Sequence, residues 1–364
     1  MTDVKSRKRI LFVLPALTTG GAEKVLITLM NNLDKDLYEP IFLTVSDKGE
    51  IGKRIDPEIP QHSLGMKKVS YAIPSLGFKI AKLKPDIVIS TMAHINFALL
   101  LLKPFFPKTK FVVREAITPS FFLNGRAFKD RLIVFLYKNL YPMADMVLSP
   151  TKLVFEEFKT LLNIRNVDGV VLPNPANIQT SGLQQLNFEP NAERLLLVAC
   201  GRLHKQKGFD RLIDVLAHTD MPFDWMLEIL GEGEERATLE ALINKYGLEQ
   251  RVHLKGLVHN VPEYLGAADC FVLPSRFEGL PNVVLESLAC GTKVISTAEA
   301  GGIQEIEQAA SKGDVTVVET MDDFAEALKK LKPQGKAKPH TSILPQKFTN
   351  EHVFTKFHEH LAKL

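Results

Sequence analysis

At 364 residues the chain is long for one hydrophobic core, and its 45% apolar and 24% charged residues are those of an ordinary globular protein, which excludes fibrous and disordered classes. Two domains of roughly 150 residues or more are expected, with a cleft between them. The net charge of +3 hides an asymmetry: residues 1–172 hold 25 Lys+Arg against 16 Asp+Glu, and the remainder 20 against 26. A basic half suits anionic partners, among them nucleic acid, phosphorylated lipid and an acidic membrane surface; a solvated face accounts for it equally well.

Cys200, Cys270 and Cys290 are isolated, with no CxxC spacing, and read as buried thiols of a reducing cytoplasm. Met1–Arg9 leads straight into a strand-like run, so no export signal is expected. The longest apolar stretch, Phe97–Leu102, falls short of the ~20 residues a spanning helix needs. The expected location is the cytoplasm, with peripheral attachment at the inner face of the plasma membrane.

In chain order, the first half alternates β-branched runs with helical stretches: Ile10–Leu14, Ala22–Asn32, Ile41–Val45, Ile87–Ser90, Lys110–Val113 and Met146–Ser149, then a helix capped by Thr151. This is the pattern of a parallel α/β sheet. Asp34-Lys35-Asp36 has the letters of a metal motif, but beside Asn31 and Asn32 it reads as a turn. Between Val171 and Glu193 the breakers of Leu172-Pro173-Asn174-Pro175 and a polar stretch mark a linker. The alternation then restarts: Leu195–Cys200, a helix from Asp210, Met226–Leu230, a helix from Glu234, Val252–Lys255, Cys270–Leu273, a helix from Pro281, and Lys293–Ser296. Expected domains are 1–172 and 173–347, with an amphipathic terminal segment, 348–364, packing back on the first through Val353, Phe354, Phe357 and Leu361.

Gly201-Arg202-Leu203-His204-Lys205-Gln206-Lys207-Gly208 follows a predicted strand and precedes a helix, where open α/β sheets bind ligands. Arg202 presents a planar fork for phosphate oxygens, Lys207 a point charge, and Gly208 lets backbone approach an anion. A surface basic loop would carry the same letters. Phe277-Glu278-Gly279-Leu280-Pro281-Asn282 follows another strand, placing Glu278 in a loop and Glu286 on a helix among apolar neighbours, where a charge needs a partner.

Taken together, Gly20-Gly21-Ala22, Gly201-Arg202 with Lys207-Gly208, Gly231-Glu232-Gly233, Gly256 with Val261 and Tyr264, and the Glu278-to-Glu286 segment resemble the retaining GT-B glycosyltransferases of bacterial surface polysaccharides, over nearly the whole chain. The resemblance implies two Rossmann-like doubly wound α/β domains, acceptor-binding first and donor-binding second. It implies that Arg202 and Lys207 hold the donor diphosphate, that Glu278 contacts the transferred sugar with Gly279, Leu280 and Asn282 beside it, and that Glu286 contacts the ribose. Gly20 and Gly21 would approach the donor phosphates or the acceptor, and Gly256, Leu257 and Val258 would line the base pocket.

The same resemblance implies no cofactor and no metal, since the two cations stabilise the leaving diphosphate. The implied partners are a nucleotide sugar, UDP-linked by prior, and a glycan or polyprenyl-diphosphate acceptor, not nucleic acid. One departure stands out: Arg114-Glu115-Ala116 occupies the place where many members carry a His, so His94, Arg114 and Glu115 are left as acceptor-side candidates.

Three rival readings have sequence discriminants. A nicotinamide-dependent oxidoreductase would use Gly231-Glu232-Gly233, but the third glycine position holds Arg236 and the surrounding glutamates repel a pyrophosphate. A glycosidase pair at Glu278 and Glu286 would lie ~12 Å apart on one helix, too far for either hydrolytic geometry. A non-catalytic sugar-nucleotide-binding module leaves the diphosphate-binding cations without a purpose.

Overall fold

A computed structural model of the chain describes residues 7–18, 20–116, 128–161, 169–176, 193–334 and 341–364. By internal contacts the chain forms two units, Met1–Pro175 with Asn350–Leu364, and Ala176–Thr349. Most of the expected linker falls outside the described residues.

The first unit runs β1 (Lys8–Ala16), α1 (Gly21–Asn31), β2 (Tyr38–Ser46), β3 (Gln61–Ser63), α2 (Val69–Leu83), β4 (Ile87–Thr91), α3 (Ala93–Leu102), β5 (Lys110–Arg114), α4 (Phe128–Leu140), β6 (Met146–Ser149), α5 (Lys152–Leu161) and β7 (Gly169–Val171). Its sheet is parallel, in the order β3-β2-β1-β4-β5-β6-β7. Ile10–Leu14 are buried throughout, because a strand covered by helices on both faces has no solvent side to alternate with. Residues of α2, α3, α4 and α5 pack on one face with Leu11, Val13 and Phe111, whereas α1 covers the other with Ile10, Phe12 and Leu14. Because α3 lies between the sheet and its neighbours α2 and α4, it is apolar nearly all round. Asp34 makes the expected turn, its Oδ1 accepting from the Asp36 backbone at 2.9 Å.

Sequence periodicity passed over α2, since Pro74 and Gly77 inside it are poor helix formers. Tertiary packing overrides them: Ala72, Leu76 and Ile80 bury one stripe, and Gly77 lets the backbone approach Leu102 of α3.

The second unit runs β8 (Arg194–Cys200), α6 (Phe209–His218), β9 (Asp224–Leu230), α7 (Arg236–Lys245), β10 (Val252–Gly256), α8 (Val261–Ala267), β11 (Cys270–Leu273), α9 (Asn282–Ala289), β12 (Val294–Thr297), α10 (Ile303–Ala309), β13 (Val315–Val318) and α11 (Met321–Lys329). All strands are parallel, ordered β10-β9-β8-β11-β12-β13. Residues of α6, α7 and α11 cover one face, and those of α8, α9 and α10 the other.

A last helix, α12 (Asn350–Leu361), belongs to the first unit, where Val353, Phe357 and Leu361 join the core of the α1 face. His358 Nε2 accepts from the Asp34 backbone at 3.2 Å. Among the described residues no helix is long and apolar enough to cross a membrane.

Candidate active site

In the second unit the strand order reverses between β8 and β11: the chain builds outward from β8 to β10, then returns to build β11 to β13 the other way. Two loops leaving adjacent strands in opposite directions open a crevice at their carboxyl ends, the usual ligand position of a doubly wound sheet. Gly201–Gly208 is one loop and Pro274–Pro281 the other.

Lys207 Nζ donates to Glu278 Oε1 at 2.6 Å, and the Ser275 hydroxyl donates to the same oxygen at 2.9 Å. Among the described residues both hydrogen bonds to this carboxylate go to Oε1, which leaves Oε2 free to accept another. Glu278 is 9% exposed and Ser275 fully buried, so the charge is desolvated and matched by its cation. Arg202 is exposed and its guanidinium has no partner among the described residues. The crevice thus holds one committed ion pair and one uncommitted fork of donors. Replacing Arg202 by Ala is expected to leave the melting temperature unchanged while weakening UDP binding about tenfold to a hundredfold, the worth of a charge-assisted bond. Calorimetric titration with UDP checks this, and unchanged affinity would remove Arg202 from the site.

The two loops are bound to each other by backbone and side chain alike. Arg276 N donates to Gln206 O at 2.8 Å, and the Gln206 amide donates to Phe277 O at 3.0 Å. The Arg276 fork grips both oxygens of Asp210 at 2.7 and 2.8 Å. Arg211 Nε donates to Pro274 O at 2.7 Å while its other nitrogens reach Glu299 and Thr297. Gly208 makes this approach possible: it is left-handed, φ +68°, and a Cβ there would overlap the Pro274 carbonyl.

Around this centre, Leu280 is buried, Gly279 O accepts from Gly302 N at 2.9 Å, Asn282 opens α9, and Glu286 lies half-buried one turn along it. Gly256 ends β10 with φ +74° and its carbonyl accepts from Gly231 N at 2.8 Å. Leu257 beyond it is 78% exposed, and Val258 packs partly into the core. The Gly231–Gly233 loop is not an open phosphate cradle. A Cβ at Gly231 would overlap the Gly201 carbonyl and one at Gly233 the Leu203 carbonyl, so these glycines serve loop packing. Glu232 is taken by Arg236 at 2.6 Å.

In the first unit the reversal lies between β1 and β4. Gly20 and Gly21 sit at the start of α1, where the Glu23 carboxylate folds back over Gly20 and accepts from Thr18 Oγ1 at 2.5 Å. This N-terminus therefore already holds an anion of its own. Met92, entering α3, is left-handed at φ +82°, and His94 follows in the first turn. The protein around His94 lowers its imidazole below the usual His range, and the Glu23 charge opposes that shift.

Arg114 and Glu115, expected on the acceptor side, lie inside the first unit. They are 1% and 4% exposed, and both have partners inside the unit. Side chains alternate along a strand, so Glu115 falls on the same face as Phe111 and Val113. There its carboxylate meets the Tyr141 hydroxyl, Tyr137 Oη at 3.4 Å and Asn96 Nδ2 at 3.3 Å. Arg114, on the opposite face, reaches Asn174 and Thr91. Burial pushes the Glu115 carboxyl up to about 7, against the Tyr141, Asn96 and Tyr137 hydrogen bonds and the Arg114 charge, which pull it down.

The sign follows directly: from pH 4.5 to 7 the unfolded state has released this proton and the folded state has not, so stability falls as pH rises and levels off above 7. Glu115→Gln is expected to flatten that decline, which amounts to a few kcal/mol at most. Urea unfolding from about pH 5 to 8 measures it, and an unaltered slope in the variant would assign the decline elsewhere.

With this geometry in place, known proteins fall into line. The glycosyl transferases group 1 model matches residues 184–342 and the glycosyltransferase family 4 model residues 19–180. A 4-alpha-N-acetylgalactosaminyltransferase of Campylobacter jejuni, named for an N-acetylgalactosamine-N,N'-diacetylbacillosaminyl-diphospho-undecaprenol, is 32% identical over 305 residues, 80% of this chain and 81% of that protein. The chain is a group 1 glycosyltransferase. An amylovoran biosynthesis glycosyltransferase of Erwinia amylovora is 27% identical over 74% of each chain. The solved structure of HepE from Anabaena with UDP-glucose shares the GT-B fold, with a TM-score of 0.78 at 19% identity over 98% of this chain and 100% of that one.

In this glycosyltransferase the structure brings Lys207 and Glu278 together, with Arg202 in the loop before Lys207, whereas Gly20, Gly21, His94, Arg114 and Glu115 belong to the other unit. Sequence reasoning missed Ser275, the Arg276–Asp210 clamp, and Glu23 with Thr18. Ser275 carried a signal, lying three residues before Glu278 and just ahead of the segment singled out. Nothing local announced the Arg276–Asp210 pair, which spans 66 positions.

Proposed function

We propose that this glycosyltransferase moves a hexose or N-acetylhexosamine, with retention of configuration, from a UDP-sugar to a glycan or polyprenyl-diphosphate-linked acceptor at an anionic membrane surface, in surface-polysaccharide assembly. The observation that carries the reading is the Lys207–Glu278 ion pair at the β8/β11 reversal, with the uncommitted Arg202 in the same loop. Arg202 and Lys207 stabilise charge developing on the leaving diphosphate, which a bound metal would otherwise do. Glu278 Oε2 accepts from a hydroxyl of the transferred sugar beside Gly279, Leu280 and Asn282. Glu286 accepts from the ribose, and Gly256, Leu257 and Val258 line the base.

The acceptor belongs to the first unit, at the Gly20, Gly21 and His94 end of β1 and β4. The diphospho-undecaprenol in the name of the Campylobacter jejuni relative supports a lipid-linked acceptor, and the UDP-glucose bound by HepE supports the nucleotide. A non-catalytic module would bind the donor and leave it intact.

A thermal-shift series with UDP-, GDP- and ADP-sugars tests the donor: the true one, at 100 times its Kd, stabilises the protein by about 2.7 kcal/mol. A shift with none of the UDP-sugars overturns the donor assignment. The shift and the transfer rate are both expected to survive EDTA, and loss of transfer on chelation would require a metal. The anomeric configuration of the product, read by NMR, decides retention.

A further inference from the structure

The helical layer of α2, α3 and α4 presents an outward surface of unusual chemistry. Along α2, Tyr71, Pro74 and Phe78 fall at i, i+3 and i+7 on the side opposite the buried Ala72, Leu76 and Ile80, so one helix buries one stripe and exposes another apolar one. Tyr71 and Phe78 are each 69% exposed. Gly77, the residue before Phe78, lies against Leu102 at the end of α3, whose chain neighbour Leu101 is exposed and which is followed by the 76% exposed Phe105. A soluble surface has no reason to hold four large apolar side chains open on neighbouring elements.

Along α2 the charge is of one sign, whereas at the corner Lys103 is paired with Asp145. Residues 59–85 contain five lysines and no Asp or Glu. Lys67, Lys79, Lys82, Lys84 and Lys108 form no ion pair among the described residues, while Lys68 lies over the Tyr71 ring at 5.8 Å. Across α3 the outward side of α4 repeats the mixture, with Leu132 and Phe135 exposed between Arg131 and Lys138.

We propose that this face, the outward stripe of α2 with the Leu101–Phe105 corner, docks on an anionic lipid bilayer. Charge complementarity selects that occupant over a second protein. Protein interfaces are depleted in lysine, whereas aromatic side chains set among lysines match the headgroup boundary of a bilayer, apolar rings inserted and ammonium groups against lipid phosphates. The face gives the lipid-linked acceptor of the proposed function a place to be met, and rests on that reading for its purpose but not for its existence.

Co-sedimentation of the full chain with vesicles tests it. Binding is expected to vesicles of phosphatidylcholine with phosphatidylglycerol at low salt, and to fall at high salt and with phosphatidylcholine alone. Each lysine near such a surface is worth about fivefold in partitioning, so Lys82→Glu with Lys84→Glu is expected to cost tenfold or more. Phe78→Ser with Phe105→Ser is expected to cost about as much. Lys245→Glu with Lys312→Glu, on the second unit, should change nothing.

Absence of binding to the anionic vesicles, or equal binding by all four proteins, overturns the docking face. Sugar transfer to a short-chain, water-soluble acceptor separates the two ideas. Face variants that lose vesicles but keep soluble transfer support the docking face, and vesicle binding without transfer to any lipid-linked acceptor overturns the acceptor reading alone.

Discussion

Glu278→Gln is expected to lower sugar transfer by on the order of 10²- to 10³-fold while leaving UDP affinity within about threefold. The carboxylate loses its charge but keeps its shape, so the bond it offers a sugar hydroxyl weakens by about 1.5–3 kcal/mol. Lys207 loses its counter-charge in the same step. At present Nζ is held at 2.6 Å on Oε1, with Ser275 as second donor, and that geometry fixes both the ammonium and the free Oε2. Initial rates with the donor found by thermal shift, together with calorimetric UDP binding, separate the terms. Loss of UDP affinity in parallel with transfer would make Glu278 a nucleotide ligand, and undiminished transfer would remove it from the reaction. Lys207→Met, by contrast, should reduce both quantities, because its proposed ligand is the diphosphate shared by UDP and the donor.

Gly208→Ala is the second change of large effect. At φ +68° a side chain costs about 1 kcal/mol, and the added Cβ would overlap the Pro274 carbonyl. Backbone cannot yield as a flexible side chain does, so the loops must part, for a total on the order of 3 kcal/mol. For a unit of this size that corresponds to a loss of roughly 6–12 °C in melting temperature. Because Lys207 and Glu278 sit on the two loops that part, UDP affinity should fall with it. Gly247→Ala supplies the control: its φ is +63°, but nothing lies within 4 Å of a Cβ there. Strain without overlap should cost only about 1 kcal/mol at Gly247. Equal losses at the two glycines would mean that backbone strain alone is responsible.

The sequence by itself determined the material of the fold. Runs such as Ile10–Leu14 and Cys270–Leu273 are apolar because parallel strands are covered on both faces, and that signal is local enough to read along the chain. It also placed Arg202, Lys207 and Glu278 after strands, where ligands bind. Hydrophobic period gave nothing at α2, where Pro74 and Gly77 are tolerated only because the helix is clamped on Leu102 and the sheet.

What only the tertiary structure decided is adjacency. Lys207 and Glu278 are 71 positions apart, and no local pattern states that β11 lies beside β8 rather than beside β10. That order comes from packing, as successive crossovers cover first one face of the sheet and then the other. It turned two residues read as separate ligands into one ion pair, added Ser275 as its second donor, and sent Glu115 into a cluster of tyrosines. The chain records which residues are charged; the packed sheet decides which of them face each other and which face solvent.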